Sequence, residues 1–214
     1  MSGLFVTISC SVLISAICNI RAEYVGSRRQ VYICKPLTTS LIIALAIISV
    51  PATASQYGIL VVLALLFCLA GDIFLMLPQD RFIPGLVSFL IAHLLYIGAF
   101  VSRAGFHLTP IVFAPFLIFA GSMLIILWPH LAQMKVPVTI YLIVILMMGW
   151  QAAEQWNYLQ SRSAAIAALG AISFMISDSL LALDRFRAPF FSARGMVLGS
   201  YFLAQWLIAL SVSA

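Results

Sequence analysis

An all-α polytopic membrane protein with eight transmembrane helices is the fold class this sequence predicts, on three observations. The chain is 64% hydrophobic and 8% charged, whereas a soluble domain carries roughly 25% charged residues to cover its wetted surface. Its apolar residues gather in eight runs of about 20, the length that crosses a bilayer core as a helix. Those runs are solidly apolar and do not alternate with period two, which excludes spanning strands. The spans use up the 214 residues, so positions 1–214 form a single transmembrane domain with no room for a soluble module.

The elements follow in order, each bounded by proline, glycine or charge. Gly3–Ile20 has no basic residues before it and no small-residue cleavage site, so it is expected to be a retained first helix and not a signal peptide. Pro36–Ala54 comes after a polar stretch holding four of the cations, Gly58–Leu77 stops at Pro78, and Phe82–Ser102 lies between Arg81 and Arg103. Leu108–Trp128 stops at Pro129, Val136–Gln155 follows Lys135, Ala164–Leu183 runs between Arg162 and Asp184, and Gly195–Val212 follows Arg194.

Charge sets the expected orientation. Arg21, Arg28, Arg29, Lys35, Arg81, Lys135, Arg185, Arg187 and Arg194, nine of the eleven basic residues, fall in the first, third, fifth and seventh connections. Only Arg103 and Arg162 lie in the others. Basic loops stay in the cytoplasm, so the expectation is an inner (plasma) membrane protein with both termini on the non-cytoplasmic side. The net charge of +5 is thereby a topology signal. No basic run interleaved with aromatics points to nucleic acid. Cys10, Cys18, Cys34 and Cys68 lack CxxC spacing and are read as small apolar packing residues.

Two residues break the apolar pattern. Asp72 lies in "FCLAGDIFLMLP" and Asp178 in "FMISDSLLALDRF". Each precedes the cytoplasmic end of its span by five residues, which sets it roughly 7–8 Å deep. A charged Asp at a span centre costs about 2.5–3.5 kcal/mol on insertion scales. Two at one depth, on helices running the same way, can share a site that holds one protonated acid and one carboxylate, the pair acid-catalysed hydrolysis needs. The competing reading makes each a helix-to-helix pin.

Further polar residues fall near that level. His93 and Gln205 lie about 15–17 Å from the cytoplasmic start of their spans and Tyr201 about 9 Å. Asn19 and Lys35 stand at cytoplasmic helix ends. Ser173 and Ser177, four apart, share a face with Asp178 beside it. Glu154, in the aromatic "WQAAEQWNY", is expected to snorkel toward water. His93 is more simply a buried core histidine than a metal ligand, since His107 and His130 lie in loops at opposite ends. No metal and no cofactor is expected. A faint repeat pairs "SFLIAH" (88–93) with "SYFLAQ" (200–205), 16 and 22 residues beyond the aspartates, which suggests a four-plus-four parallel duplication.

The segments "KPLTTSLI", "AGDIFLML", "FIPGLVSFLIAHLLY" and "GAISFMISDSLLALDRF" resemble the YhhN family, whose characterised members are lysoplasmalogenases. The most specific parts are Gly71-Asp72, Gly85 with His93 and Tyr96, and Ser177-Asp178. The resemblance implies hydrolysis of the vinyl ether bond of a lysoplasmalogen to a fatty aldehyde and glycerophosphoethanolamine or glycerophosphocholine. It also implies that Asp72 and Asp178 are the active-site residues.

The chemistry suits those residue types. A vinyl ether hydrolyses when an acid protonates its β-carbon and water attacks the resulting oxocarbenium ion, a division of labour that carboxylate pairs perform in glycosidases. His93 and Tyr201 are placed to hold water or the carboxylates, with Ser177, Gln205 and Asn19 as supporting polar groups. Lys35 stands where a lipid phosphate would lie. The expected partners are the lysophospholipid substrate and membrane lipids. The alternative from another class is a small proton-coupled transporter in which Asp72 and Asp178 carry protons; its sites usually lie at the midplane, deeper than these. A third reading is a non-catalytic scaffold.

Overall fold

The computed structural model describes residues 3–50, 55–79 and 81–213. Among them there is no strand, and eight helices are long and apolar enough to cross a membrane. They are α1 (Gly3–Val25), α2 (Arg28–Ser49), α3 (Gln56–Met76), α4 (Phe82–Ala104), α5 (Pro110–Leu127), α6 (Lys135–Leu159), α7 (Arg162–Ala182) and α8 (Ala193–Leu210). Short 3-10 turns at Trp128–His130 and Ala132–Met134 join α5 to α6, and a π-helical turn at Leu183–Arg187 extends α7. All eight expected spans are present. The end expected for the second, at Ala54, lies outside the described residues.

The helix ends have local causes. Ser55 caps α3 by accepting from Gly58 N at 3.2 Å, and Ser161 caps α7 by accepting from Ala164 N at 3.2 Å, each satisfying an otherwise orphan donor. Gly105, at φ 86°, stops α4, a backbone conformation that a residue with a Cβ resists. Gly26, at φ 76°, turns the chain from α1 into α2.

That turn corrects the expected layout of the first two spans. Only Gly26 and Ser27 separate the two helices, so positions 21–35 are almost all helical and do not form a polar loop. An apolar run measures how much chain crosses lipid, not how far the helix goes, and Arg and Lys are good helix formers. Lys35 therefore sits two turns inside α2 and not at its start, with Pro36 in the helix interior. Asn19 lies well before the end of α1 and is wholly buried.

The packing order forms a ring. Along it α2 packs on α3, α3 on α4, α4 on α6, α6 on α7, α7 on α8, and α8 returns to α2. The α3–α4 and α7–α8 pairs are the most extensive. Outside the ring, α1 rests on α2 and α8, and α5 rests on α6. The core fills the ring with Leu65, Tyr96, Phe100, Met148, Phe174 and Ile208, all fully buried or nearly so. The order α1 to α4 thus recurs as α5 to α8, with the outer helix first in each half. A parallel four-plus-four duplication would produce this order.

Glycine permits a close contact between α7 and α8. A Cβ on Gly170 of α7 would lie 2.7 Å from Ile208 Cγ1, 3.0 Å from Ala204 O and 3.1 Å from Ile208 N of α8. Two of those three atoms are backbone and cannot swing aside. Gly121 of α5 meets nothing within 4 Å. Gly170→Leu is therefore expected to destabilise the bundle by about 1–3 kcal/mol, the usual range for overpacking, while Gly121→Ala stays near neutral. Unfolding of the purified variants by denaturant in mixed micelles checks the contrast.

Candidate intramembrane carboxylate site

Each of the six ring helices supplies a polar side chain to one buried cluster. On α3, Gly71 precedes Asp72 for a steric reason: the Phe89 ring of α4 would lie 2.7–2.9 Å from a Cβ there. With glycine, Phe89 closes onto α3 and its edge meets the Tyr201 ring of α8 at 5.8 Å. Asp72 is 1% exposed. Its Oδ2 accepts from Thr39 Oγ1 at 2.7 Å and its Oδ1 faces Lys35 Nζ at 3.4 Å. Lys35 and Thr39 are four apart on α2 and so share one face. The Tyr201 hydroxyl of α8 faces Asp72.

Asp178 on α7 has a different set of partners. Tyr141 of α6 donates its hydroxyl proton to Oδ2 at 2.5 Å, and His93 Nε2 of α4 lies 3.7 Å from the same oxygen. Its side chain is 14% exposed, so it is the more accessible acid. The two carboxylates are linked through aromatic rings. Tyr201 meets Phe174 at 5.5 Å, Phe174 meets His93 at 4.7 Å, and His93 meets Tyr141 at 5.3 Å, all edge to face. Cys68, one turn before Asp72, is within electrostatic reach of both acids.

The structure brings most of the expected residues together. Lys35, Asp72, His93, Asp178 and Tyr201 belong to the cluster as described. Gln205 and Asn19 are fully buried, and neither side chain has a hydrogen-bond partner on either polar atom; Gln205 lies beside Cys68. Ser177 is buried but bonds Val197 O of α8 at 3.0 Å, pinning α7 to α8. Ser173 turns back on Leu169 O. Among the described residues no group of three His, Cys, Asp or Glu is placed to hold a metal ion.

Glu154 is a correction. It is 1% exposed and does not reach for water. Its Oε1 accepts from Thr109 N at 2.6 Å and from Trp150 Nε1 at 3.0 Å. The carboxylate thereby fastens the α4–α5 connection to α6, because burying it with two donors satisfies a backbone N–H that would otherwise be orphaned.

Thr39 and Tyr141 are the residues the sequence reading missed. Thr39 was visible as the helical neighbour of Lys35. Tyr141 stands 106 residues after Lys35, the same separation that divides Asp178 from Asp72. Asp72 on α3 is thus partnered from α2, and Asp178 on α7 from α6.

An α-helical bundle of eight spans that keeps two aspartates in its interior defines a class: a polytopic membrane protein built around intramembrane acids. The chain belongs to the YhhN family, whose sequence profile matches residues 30–212. It is 29% identical over 205 residues to a protein of Escherichia coli O157:H7 called uncharacterized membrane protein YhhN, covering 94% of this chain and 96% of that one. It is 33% identical over 158 residues to lysoplasmalogenase TMEM86A of Bos taurus, covering 69% of this chain and 62% of that protein. Identity to human lysoplasmalogenase TMEM86B is 34% over 150 residues, or 69% of this chain and 61% of the other. No solved structure matches the chain.

The Lys35–Asp72 pair generates a stability prediction. Removing one partner of a buried ion pair leaves an uncompensated charge and costs about 3–5 kcal/mol, whereas removing both is far milder. Lys35→Met is expected to lower the thermal unfolding temperature in detergent, and Lys35→Met with Asp72→Asn to recover most of the loss. A double-mutant cycle measures the coupling.

Proposed function

We propose that this chain is a membrane-embedded hydrolase that cleaves the vinyl ether bond of lysoplasmalogens, with Asp72 and Asp178 as its acid–base pair. One observation carries the reading: two interior carboxylates lie in one ring of helices, in a family with relatives named lysoplasmalogenase. The two environments suggest a division of roles. Asp72 faces the ammonium of Lys35, whose charge balances a carboxylate. Asp178 faces a phenol and an imidazole and is the more exposed, so it is assigned the transferable proton.

In this scheme Asp178 protonates the β-carbon of the alkenyl chain and leaves an oxocarbenium ion. The Asp72 carboxylate stabilises the cation and takes a proton from the water that attacks it. The hemiacetal so formed collapses, returning its hydroxyl proton to Asp178 while Asp72 protonates the departing glycerol oxygen. Fatty aldehyde and the glycerophospho-headgroup leave, one water is consumed, and both acids regain their starting states. Tyr141 holds Asp178 in position, and the polar atoms of His93, Tyr201, Gln205 and Asn19 are assigned to water and to the polar part of the substrate. The positive-inside pattern supports an orientation with the aspartate end of the bundle toward the cytoplasm of a cell inner membrane. There a substrate with a single chain would enter from the inner leaflet.

Aldehyde release from a defined lysoplasmalogen by the purified protein tests the proposal. Asp72→Asn and Asp178→Asn are each expected to lower turnover by about 10²–10⁴-fold, the range for acid–base groups, with the helical circular dichroism unchanged. Full activity in either variant would remove that residue from the mechanism. Absence of turnover together with proton-dependent solute flux in liposomes would favour transport.

Tyr141→Phe gives a subtler signal. It deletes one hydrogen bond to Asp178 and keeps the ring, so kcat is expected to fall by roughly tenfold or more with little change in KM, the pattern of an interaction felt in the transition state. A rise in KM alone would make Tyr141 a substrate contact instead.

A further inference from the structure

A large groove among the described residues lies away from the aspartates. It has a volume of about 1640 Å³ and runs between α1 and α8. Its lining extends from Ile20 and Gly199 toward Leu4, Ser213 and the tips of α3, α4 and α7. Leu4 and Ile20 are 16 residues apart on α1, roughly 24 Å of helix, which is most of a hydrocarbon core about 30 Å thick. The walls are mainly apolar, and α1 rests only lightly on α8.

Charge distinguishes one end. Nine basic residues lie toward the other face of the bundle, and the remaining two, Arg103 and Arg162, both line this groove. They converge: Arg103 Nη2 donates to Ser163 Oγ at 2.8 Å, the residue next to Arg162, and the Arg103 guanidinium lies 5.0 Å over the Tyr57 ring. α3 and α7 begin here too, and Gln56 and Arg162 from their first turns line the groove. Helix N-termini carry partial positive charge and favour anions. A long apolar slot ending in two guanidinium groups and two helix N-termini complements a hydrocarbon chain that carries a phosphate.

We propose that this groove binds a membrane phospholipid, with its phosphate on Arg103 and Arg162 and an acyl chain laid between α1 and α8. The occupant is not the reacting substrate. Tyr57, beneath Arg103, and Asp72 are 15 residues apart on α3, about 22 Å. A phosphate held by the arginines keeps its own glycerol linkage at that distance from Asp72. The lipid is a resident one that fills the seam between the outer helix α1 and the ring. This site stands independently of the hydrolase reading.

Native mass spectrometry of the detergent-purified protein with added phosphatidylglycerol tests the proposal, with diacylglycerol as the phosphate-free control. The wild type is expected to retain phosphatidylglycerol at least tenfold better than diacylglycerol. Arg162→Glu acts at an exposed side chain and should lower retention tenfold or more. Gly199→Leu fills the groove from a position where a Cβ meets nothing within 4 Å, and should displace the lipid without disturbing the protein. Arg162→Lys should keep most of the binding and serves as the conservative control. Thermal stabilisation by phosphatidylglycerol should vanish in Arg162→Glu and Gly199→Leu. Equal retention of the two lipids by the wild type overturns the proposal, as does undiminished retention in both disruptive variants. The same thermal stabilisation by inorganic phosphate alone also overturns it.

Discussion

A carboxylate cannot be left uncompensated in hydrocarbon, and the aspartate end of this bundle is arranged around that constraint. Asp72 is met by an ammonium from α2, and an ammonium can reach it only if Lys35 lies well inside the helix. The two-residue turn at Gly26–Ser27 makes that possible, because it starts α2 two turns before the lipid-crossing run begins. The same placement puts Pro36 in the helix interior, a break that membrane helices tolerate when neighbours re-satisfy the freed carbonyl. Ring closure by α2 against α8 then seals the pair from lipid and brings Tyr201 and Gln205 to its far side.

The aromatic side chains have a second duty. Tyr141 and Phe174 pack on His93, and Phe89 and Tyr201 pack on Phe174 and on each other, so rings lie between the two acids. Edge-to-face contacts fix ring orientation as well as distance, so the hydroxyls of Tyr141 and Tyr201 are aimed by packing and not by loops. Gly71 belongs to this arrangement, since it admits Phe89. A motif that looks like a flexible glycine beside an acid is in fact a packing requirement.

Much of the fold was legible in the sequence because lipid imposes a simple rule: apolar runs of spanning length are helices. Eight such runs gave the span count and most of the boundaries to within a turn. The rule fails for segments that are polar yet helical, which is why positions 21–35 were read as a loop and why Lys35 and Asn19 were placed too near the surface. The acids and His93 stood out because polar atoms are rare in such runs. Their partners Thr39 and Tyr141 did not, since threonine and tyrosine are ordinary residues near membrane interfaces. Glu154 was misjudged for a related reason. An acid near a span end has two destinations, water or an unpaired backbone N–H, and only the fold of the 105–109 connection decides between them.

The recurring order of helices has a consequence for the proton. If the two halves descend from one ancestral unit, Asp72 and Asp178 were once interchangeable, as were the positions now held by Lys35 and Tyr141. An acid pair with identical surroundings has no preferred direction of transfer, because either member is equally suited to give or to receive. On such a descent Lys35 and Tyr141 break that symmetry, and Thr39 beside Asp72 and His93 beside Asp178 break it further. The result is two acids set apart by their neighbours: an ammonium and a hydroxyl at Asp72, a phenol and an imidazole at Asp178.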